Sequence, residues 1–353
     1  MNKTLIAMAV AGVMAAPMAA QADATVYGKI HISIDSGDTG LDNDAPPLKT
    51  SGVFFQSNSG RVGVKGSEDL GGGLKAIWQF ESNASFGSGN TSFGGRNSFL
   101  GLAGGWGSFI GGKHDTPFKS VGRWFDLFGD QVGDSRNLIQ DPWDDNWDLR
   151  PNNVVAYTSP TFGGGFDVQL AYVIDDGIDN NTATSAYGRW KSGDWLVGLG
   201  YESHDHASGT SSNAMRAGLQ WSPGAFKVNA FYQTSSDEGG VSGQDATAMG
   251  VGGAYTMGKN VLKAQYFMVS PDSSLGNDID ANTLAVGWDY KMSKRTTAYI
   301  AYSTTSNDAN TYYCTDAGGH GGEVCSRAAA LAPPVNTTTG DPSVLSFGMI
   351  HKF

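Results

Sequence analysis

The chain predicts an all-β fold, an antiparallel transmembrane β-barrel of sixteen strands, and three observations carry that prediction. Apolar and polar residues alternate with period two through most of its length, which is the mark of strands with one face dry and the other wet. Seven tight turns rich in Gly, Pro and Ser alternate with eight long polar stretches. Past the N-terminal leader no apolar run approaches the ~20 residues that a spanning helix requires, so a membrane crossing would have to be made by strands.

The leader occupies residues 1–22. Lys3 supplies a positive start, Thr4 to Ala20 an apolar core, and Ala20-Gln21-Ala22 a small-x-small cleavage site,. The mature chain is expected to begin at Asp23, with cleavage after Ala24 as the alternative, so 23–353 is read as an exported barrel. Composition agrees: 50 Gly, 12 Pro, 11% aromatic and only 16% charged residues, against roughly 25% charged in ordinary soluble domains. A formal charge of −11 makes nucleic acid an unsuitable partner, because phosphate binding needs a basic surface.

The turns fall at 70–73, 104–107, 159–165, 192–194, 222–224, 256–259 and 292–294. The long stretches are 35–58, 84–94, 114–152, 175–184, 203–213, 234–246, 270–281 and 304–342. Short turns on one side and long loops on the other, with an even strand count, is the layout of bacterial outer-membrane barrels. Individual strands fit. Phe166, Val168, Leu170 and Tyr172 separate cleanly from Asp167 and Gln169, and Leu74, Ala76, Trp78 and Phe80 oppose Lys75, Gln79 and Glu81. A soluble sandwich also alternates. Strand lengths near ten and aromatics at strand ends (Trp190, Trp195, Tyr201, Trp221, Tyr232, Tyr255, Tyr266, Trp288, Tyr302) favour the barrel, because such rings form interfacial girdles. The final segment places Leu345, Phe347, Met349 and Phe353 on one face, and a strand ending there needs a neighbour to hold it. Cys314 and Cys325, close together in an exported context, read as a loop disulfide.

Several segments in fixed order bear a family likeness: Val26-Tyr27-Gly28-Lys29, Gly60 to Asp69 followed by Leu70-Gly71-Gly72-Gly73-Leu74, Arg96 to Leu102, Asn153 to Pro160 with Phe162-Gly163-Gly164, and the terminal Phe353. With these the mature chain resembles, end to end, the trimeric general diffusion porins of Gram-negative bacteria, most closely the neisserial and β-proteobacterial branch. The resemblance implies a homotrimer in the outer membrane, in contact with lipid and lipopolysaccharide. It also implies a third external loop, here 113–152, folded into each lumen as a constriction for ions and small hydrophilic solutes. A structureless stretch of that length must pack somewhere. Phe353 would belong to the signal read by the barrel-insertion machinery.

Strand parity and the resemblance together nominate the charges of the narrowing. With Ile30, Ile32 and Ile34 facing lipid, Lys29 and His31 point inward; Val62 and Val64 outward leave Arg61 and Lys65 inward; Lys75 faces in, and Phe99 outward leaves Arg96 inward. Lys29, Arg61 and Arg96 would form the basic wall, with Lys113 or Arg150 compensating for an arginine that the family often has where Thr158 stands. Asp126, Asp130 and Asp134 would present an opposing acidic face, partly neutralised by Arg123, Arg136 and Arg150. An acid-rich loop against an incomplete wall leads to the expectation of weak cation preference. Trp124, Phe128, Trp143 and Trp147 raise the alternative of an aromatic track, as in sugar-selective pores. His204-Asp205-His206 reads as a solvated run without a third metal ligand, no catalytic constellation stands out, and neither a metal, a cofactor nor an enzyme activity is expected.

Overall fold

The computed structural model describes residues 23–40, 51–86, 94–142, 145–174, 182–273, 279–308, 311, 313–315 and 340–353. The leader, Trp143 and Cys325 lie outside the described residues. One closed antiparallel sheet contains all the strands: β1 (Asp23–Asp38), β2 (Ser51–Ser57 and Arg61–Gly71), β3 (Leu74–Asn83), β4 (Ser98–Gly104), β5 (Gly107–Lys113), β6 (Val154–Thr158), β7 (Phe166–Val173), β8 (Thr182–Ser192), β9 (Trp195–Asp205), β10 (Ser211–Trp221), β11 (Phe226–Ser236), β12 (Gln244–Met257), β13 (Asn260–Ser273), β14 (Ala281–Lys291), β15 (Thr296–Asn307) and β16 (Ser343–Lys352).

The two parts of β2 pair with the same strand. Ser51–Ser57 runs along the upper half of β1 and Arg61–Gly71 along its lower half, and the register steps by one residue between Ile32↔Ser57 and Lys29↔Arg61. The extra residue is a bulge around Ser59, whose φ of 52° is left-handed,. Its consequence is a change of parity. Phe54 and Gln56 face inward above the bulge, Arg61 and Gly63 below it.

Every tight turn expected from sequence joins two strands. The long stretches prove shorter than expected at several places, since β1 extends to Asp38, β2 begins at Ser51 and β15 reaches Asn307. Polar residues such as Asp35 and Gln56 read as loop because they are hydrophilic, yet they occupy inward strand positions. The outer face carries the apolar set, with Leu199, Met215, Val251 and Phe347 half or more exposed, and two aromatic belts. Trp195 and Trp221 stack at 5.7 Å and Phe226 lies 4.6 Å from Tyr255 near the tight turns; Tyr201, Tyr232, Tyr266 and Tyr302 ring the other edge.

Closure is made by β1 and β16, in register from Lys29↔Lys352 to Asp38↔Ser343. Phe353 adds two bonds beyond the strand: Gly28 N–H donates to its carbonyl at 3.0 Å and its own N–H donates to the Gly28 carbonyl at 3.1 Å. Its ring covers the face of Gly28, where an added Cβ would meet that ring and stand 2.7 Å from the Arg61 carbonyl. Gly28→Leu is therefore expected to weaken the seam by about 1–3 kcal/mol, the usual cost of overpacking. A lower temperature for the folded-to-unfolded band shift on unboiled gels measures it, and an unchanged midpoint contradicts it.

Candidate functional site

Between β5 and β6 the chain leaves the wall and packs against inward-facing side chains. Two helices organise this inner segment. In α1 (Pro117–Trp124) the Thr116 hydroxyl caps the N-terminus by accepting from Lys119 N–H at 3.3 Å, and Pro117 occupies the first turn where no donor is lost,. The short α2 (Arg136–Ile139) follows. The wall is contoured for α1: Gly200 on β9 would bring a Cβ to 3.1 Å from Val121 and 3.2 Å from Phe118, and Gly198 to 2.9 Å from Trp124. Glycine at these inward positions lets the helix approach the sheet.

The segment's backbone has no ladder to join, and wall side chains satisfy it instead. Gln265 accepts from Leu127 N–H at 2.8 Å and donates to the Gly133 carbonyl and to Asp126, both at 2.9 Å. Asn229 donates to the Phe125 carbonyl, and Lys263 to the Leu127 carbonyl and Gln131. Arg216, fully buried on β10, donates to Gln233 at 2.6 Å and to the carbonyls of Phe118 and Ile139, with its guanidinium 4.1 Å from the Phe118 ring. From the last long loop, Tyr313 O–H donates to the Pro142 carbonyl at 2.9 Å and the Thr315 carbonyl accepts from Gly133 N–H. Cys314, between them, is disulfide-bonded.

Lys29 and Arg61 stand opposite each other across the β1–β2 register, and Glu81 links Arg61 to Arg96, but they do not form a free row facing free acids. Lys29 Nζ lies 2.7 Å from Asp130 Oδ2, and the same carboxylate holds Arg136 at 2.8 Å and Arg123 at 3.4 Å. Asp134 is 1% exposed and bound to Arg136. Asp126 accepts from Phe128 N–H, Ser135 N–H and Gln265. The expected acidic face is thus corrected: Asp130 and Asp134 are buried under cations, because an ionised carboxylate taken out of water requires a counter-charge. Glu81, absent from the nominated set though its parity with Lys75 marks it as inward, organises the other half of the wall. It binds Arg96 Nε at 2.5 Å, Tyr27 O–H at 2.8 Å and, at 4.0 Å, Arg61. Lys65 lies over the Tyr27 ring, Lys113 donates to Asn152 at 3.0 Å, and Lys75 is exposed at the tight-turn end.

Two further expectations change. Phe99 faces inward, packed near Ile110 and 5.5 Å from the His114 ring, while Leu100 and Leu102 face out. Arg96 precedes β4, so strand parity does not carry to it, and Glu81 draws it in. The aromatic track does not form among the described residues: Phe128 and Trp147 are 0% exposed, and only Trp124 keeps an accessible edge. Phe128 sits among Phe54, Val132 and Tyr299, and Trp147 against Phe118.

Electrostatics inside the segment follow from these pairs. Burial raises the Asp115 carboxyl, but Lys119 and Arg150 outweigh it and hold the group below the carboxylate range. Asp134 is likewise held low against its burial by Arg136. Burial, followed by the negative charge of Asp134, pushes Asp126 up to about 7.

A profile of the Gram-negative porin family matches residues 6–310. The major outer membrane protein P.IB of Neisseria meningitidis serogroup B is 30% identical over 330 residues, covering 85% of this chain and 92% of the relative. The anion-selective porin from Comamonas acidovorans superposes with a TM-score of 0.75 at 21% identity, covering 94% of this chain and all of that one. The trimer form of OmpT from Vibrio cholerae gives 0.66 at 17% identity, covering 94% and 99%.

Two outcomes are expected from this geometry. Asp130→Asn leaves Lys29, Arg123 and Arg136 short of a partner and should loosen the inner segment by about 3–5 kcal/mol, read as faster proteolysis within 123–136 in an intact barrel. The Asp126 carboxyl titrates higher in the folded chain than unfolded, so its stabilisation is complete below pH 4 and lost as pH rises through about 7,. Amide exchange of 127–139 should quicken between pH 5 and 9, corrected for intrinsic rates, and Asp126→Asn should flatten that rise.

Proposed function

We propose how a chain that belongs to the Gram-negative porin family sorts its solutes: it narrows a water-filled outer-membrane channel with its inner segment and passes small anions slightly better than cations. The protein is a passive diffusion channel for ions and small hydrophilic solutes, and not an enzyme. The constriction and the sign of selectivity are our reading.

One observation carries that reading. Four of the described acids of the inner segment are matched by cations: Asp115 with Lys119 and Arg150, Asp130 with three cations, Asp134 with Arg136, and Asp148 with Lys119 and Arg136, while Asp126 is held by the amides of Phe128 and Ser135 and by Gln265. By contrast Lys65, Lys75 and Lys113 make no ion pair among the described residues, and Arg61 reaches only a Glu81 already taken by Arg96. A unit charge acts on an ion 4 Å away with about 1 kcal/mol in bulk water and about 4 at an effective dielectric near 20. A surplus of one or two cations at the narrowing therefore shifts ion preference several-fold without stopping flow. The negative formal charge resides largely elsewhere, as at Asp205, Asp237, Asp245 and Asp272 near the long-loop rim, and a focused field at the narrowest point outweighs it. Cation preference, expected from an open acidic loop, loses its support once that loop is paired. Burial of Phe128 and Trp147 similarly favours a general channel over a sugar-selective one.

Assembly as a homotrimer is the second part of the proposal. Strands β4 to β7 contain 7, 7, 5 and 8 residues, short of the ~9–11 that cross a bilayer. The chain departs into the lumen between β5 and β6, so the wall is low on this side. Leu100, at 66% exposure, Leu102 and Phe109 face outward there. Such a side suits neighbouring copies, while the taller β8 to β15 face outer-membrane lipid and lipopolysaccharide. For Phe353 we retain the role of a mark for the insertion machinery.

In a tenfold potassium chloride gradient across a planar bilayer, the reversal potential should carry the anion sign, and Arg61→Gln with Lys65→Gln should move it toward zero; a cation sign in the unaltered channel rejects the reading. Leu100→Asp should convert the unheated trimer band to folded monomer.

A further inference from the structure

The histidines at the end of β9, set aside from sequence as a solvated run, are placed otherwise. His204 is 7% exposed and lies on the Trp147 indole of the inner segment, ring centroids 4.5 Å apart and planes 23° from parallel. Its Nδ1 faces Asp145 Oδ1 at 3.3 Å and its Nε2 faces Glu202 Oε1 at 3.0 Å. Between two ionised carboxylates, which only accept hydrogen bonds, both ring nitrogens would donate. Only the imidazolium has two N–H groups. Glu202 is wholly buried, and its Oε2 has no hydrogen-bond partner among the described residues. A carboxylate in that position depends on a neighbouring positive charge.

We propose that His204 is a proton-dependent positioning residue of the channel: as imidazolium it clamps Asp145 and Trp147 of the inner segment to Glu202 on the wall, and on losing a proton it releases them. The proposal rests on reading the inner segment as the constriction. The groups facing the clamp come from four elements. On β9 these are Glu202 and, just beyond its end, His206, whose Nε2 stands 3.8 Å from Asp145 and is bonded to Ser212. From the inner segment come Asp145 and Asp148, the latter held by Lys119 and Arg136. Arg216 on β10 acts through space on Glu202 and Asp148. After β11, Gly239 N–H donates to Asp145 Oδ2 at 2.8 Å, and Glu238 is bonded to Ser235. Burial raises the Asp145 carboxyl, but the bonds from His204, Ser212 and Gly239 outweigh it and hold the group low. Asp145 therefore stays ionised through mildly acid pH, and the proton whose loss opens the clamp is that of the imidazolium. A neutral ring would leave one nitrogen lone pair against a carboxylate and two carboxylates, Asp145 and Glu202, without the charge between them.

The test uses the reconstituted trimer in planar bilayers from pH 5 to 10, with amide exchange of residues 145–149 measured in parallel. Partial-closure events should rise about tenfold per pH unit on approach to the imidazolium midpoint and then level off, with exchange rising beyond its intrinsic pH dependence in step. His204→Gln should show frequent events and fast exchange at every pH. Exchange at 145–149 that adds nothing to its intrinsic pH dependence, or a His204→Gln protein that keeps the unaltered profile, overturns the clamp. If exchange follows His204 while conductance ignores both pH and the deletion of 127–133, the clamp stands and the constriction reading falls.

Discussion

A bilayer offers no hydrogen-bonding partner to the backbone, and nearly every feature of this chain follows from that constraint. No helix among the described residues is long and apolar enough to cross, and a sheet satisfies all its amides among lipid tails only when closed, so the ends must meet, and β1 and β16 do. Once the sheet is closed its interior is wet, and polar side chains become affordable on every second residue. Those inward side chains then take on a second duty. Gln265, Asn229, Lys263 and Arg216 bond to the inner segment's carbonyls and amides and replace the ladder it lacks. A segment that would otherwise need its own sheet is held in place by the wall.

The same economy shapes the electrostatics. Taking some forty residues out of bulk water strands their carboxylates, and each must find a cation or, as Asp126 does, a set of hydrogen-bond donors. Asp130 finds three, one from the wall and two from its own segment. Pairing fixes the segment and neutralises much of its charge. On the proposed reading, what acts on passing ions is the part of the wall where cations outnumber the acids that reach them. Structure-building charges and solute-facing charges are thus different residues, even where they are neighbours, as Lys29 and Arg61 are across the β1–β2 register.

Much of the barrel was legible because period two is a local property. Leu345, Phe347 and Met349 declare their face without reference to any neighbour. The tight turns were equally plain, since glycines and prolines advertise reversals. The readings that failed did so where parity is reset or does not apply. The bulge at Ser59 lets Phe54 and Arg61 share the inner face, and nothing in the local pattern marks the step. Phe99 looked lipid-facing because it is apolar, but the inner face near β5 and β6 is itself apolar. The pairing of Asp130 depends on Lys29, 101 residues away, and the burial of His204 depends on Trp147. Such contacts are set by three-dimensional closure, which spacing along the chain does not encode. Glu81 is different, since its parity with Lys75 was visible and only its partners were not.

The seam between β1 and β16 also bears on how fast the protein can be made. It joins residues roughly 320 apart, the greatest separation of any strand pair here, and distant pairings form slowly because loop closure must precede their reward. Until the last strand pairs with the first, β1 and β16 are two open edges, each a template for pairing with the wrong chain. The chain is consequently most exposed to aggregation just before it is finished, and the contact of Phe353 with Gly28 ends that interval.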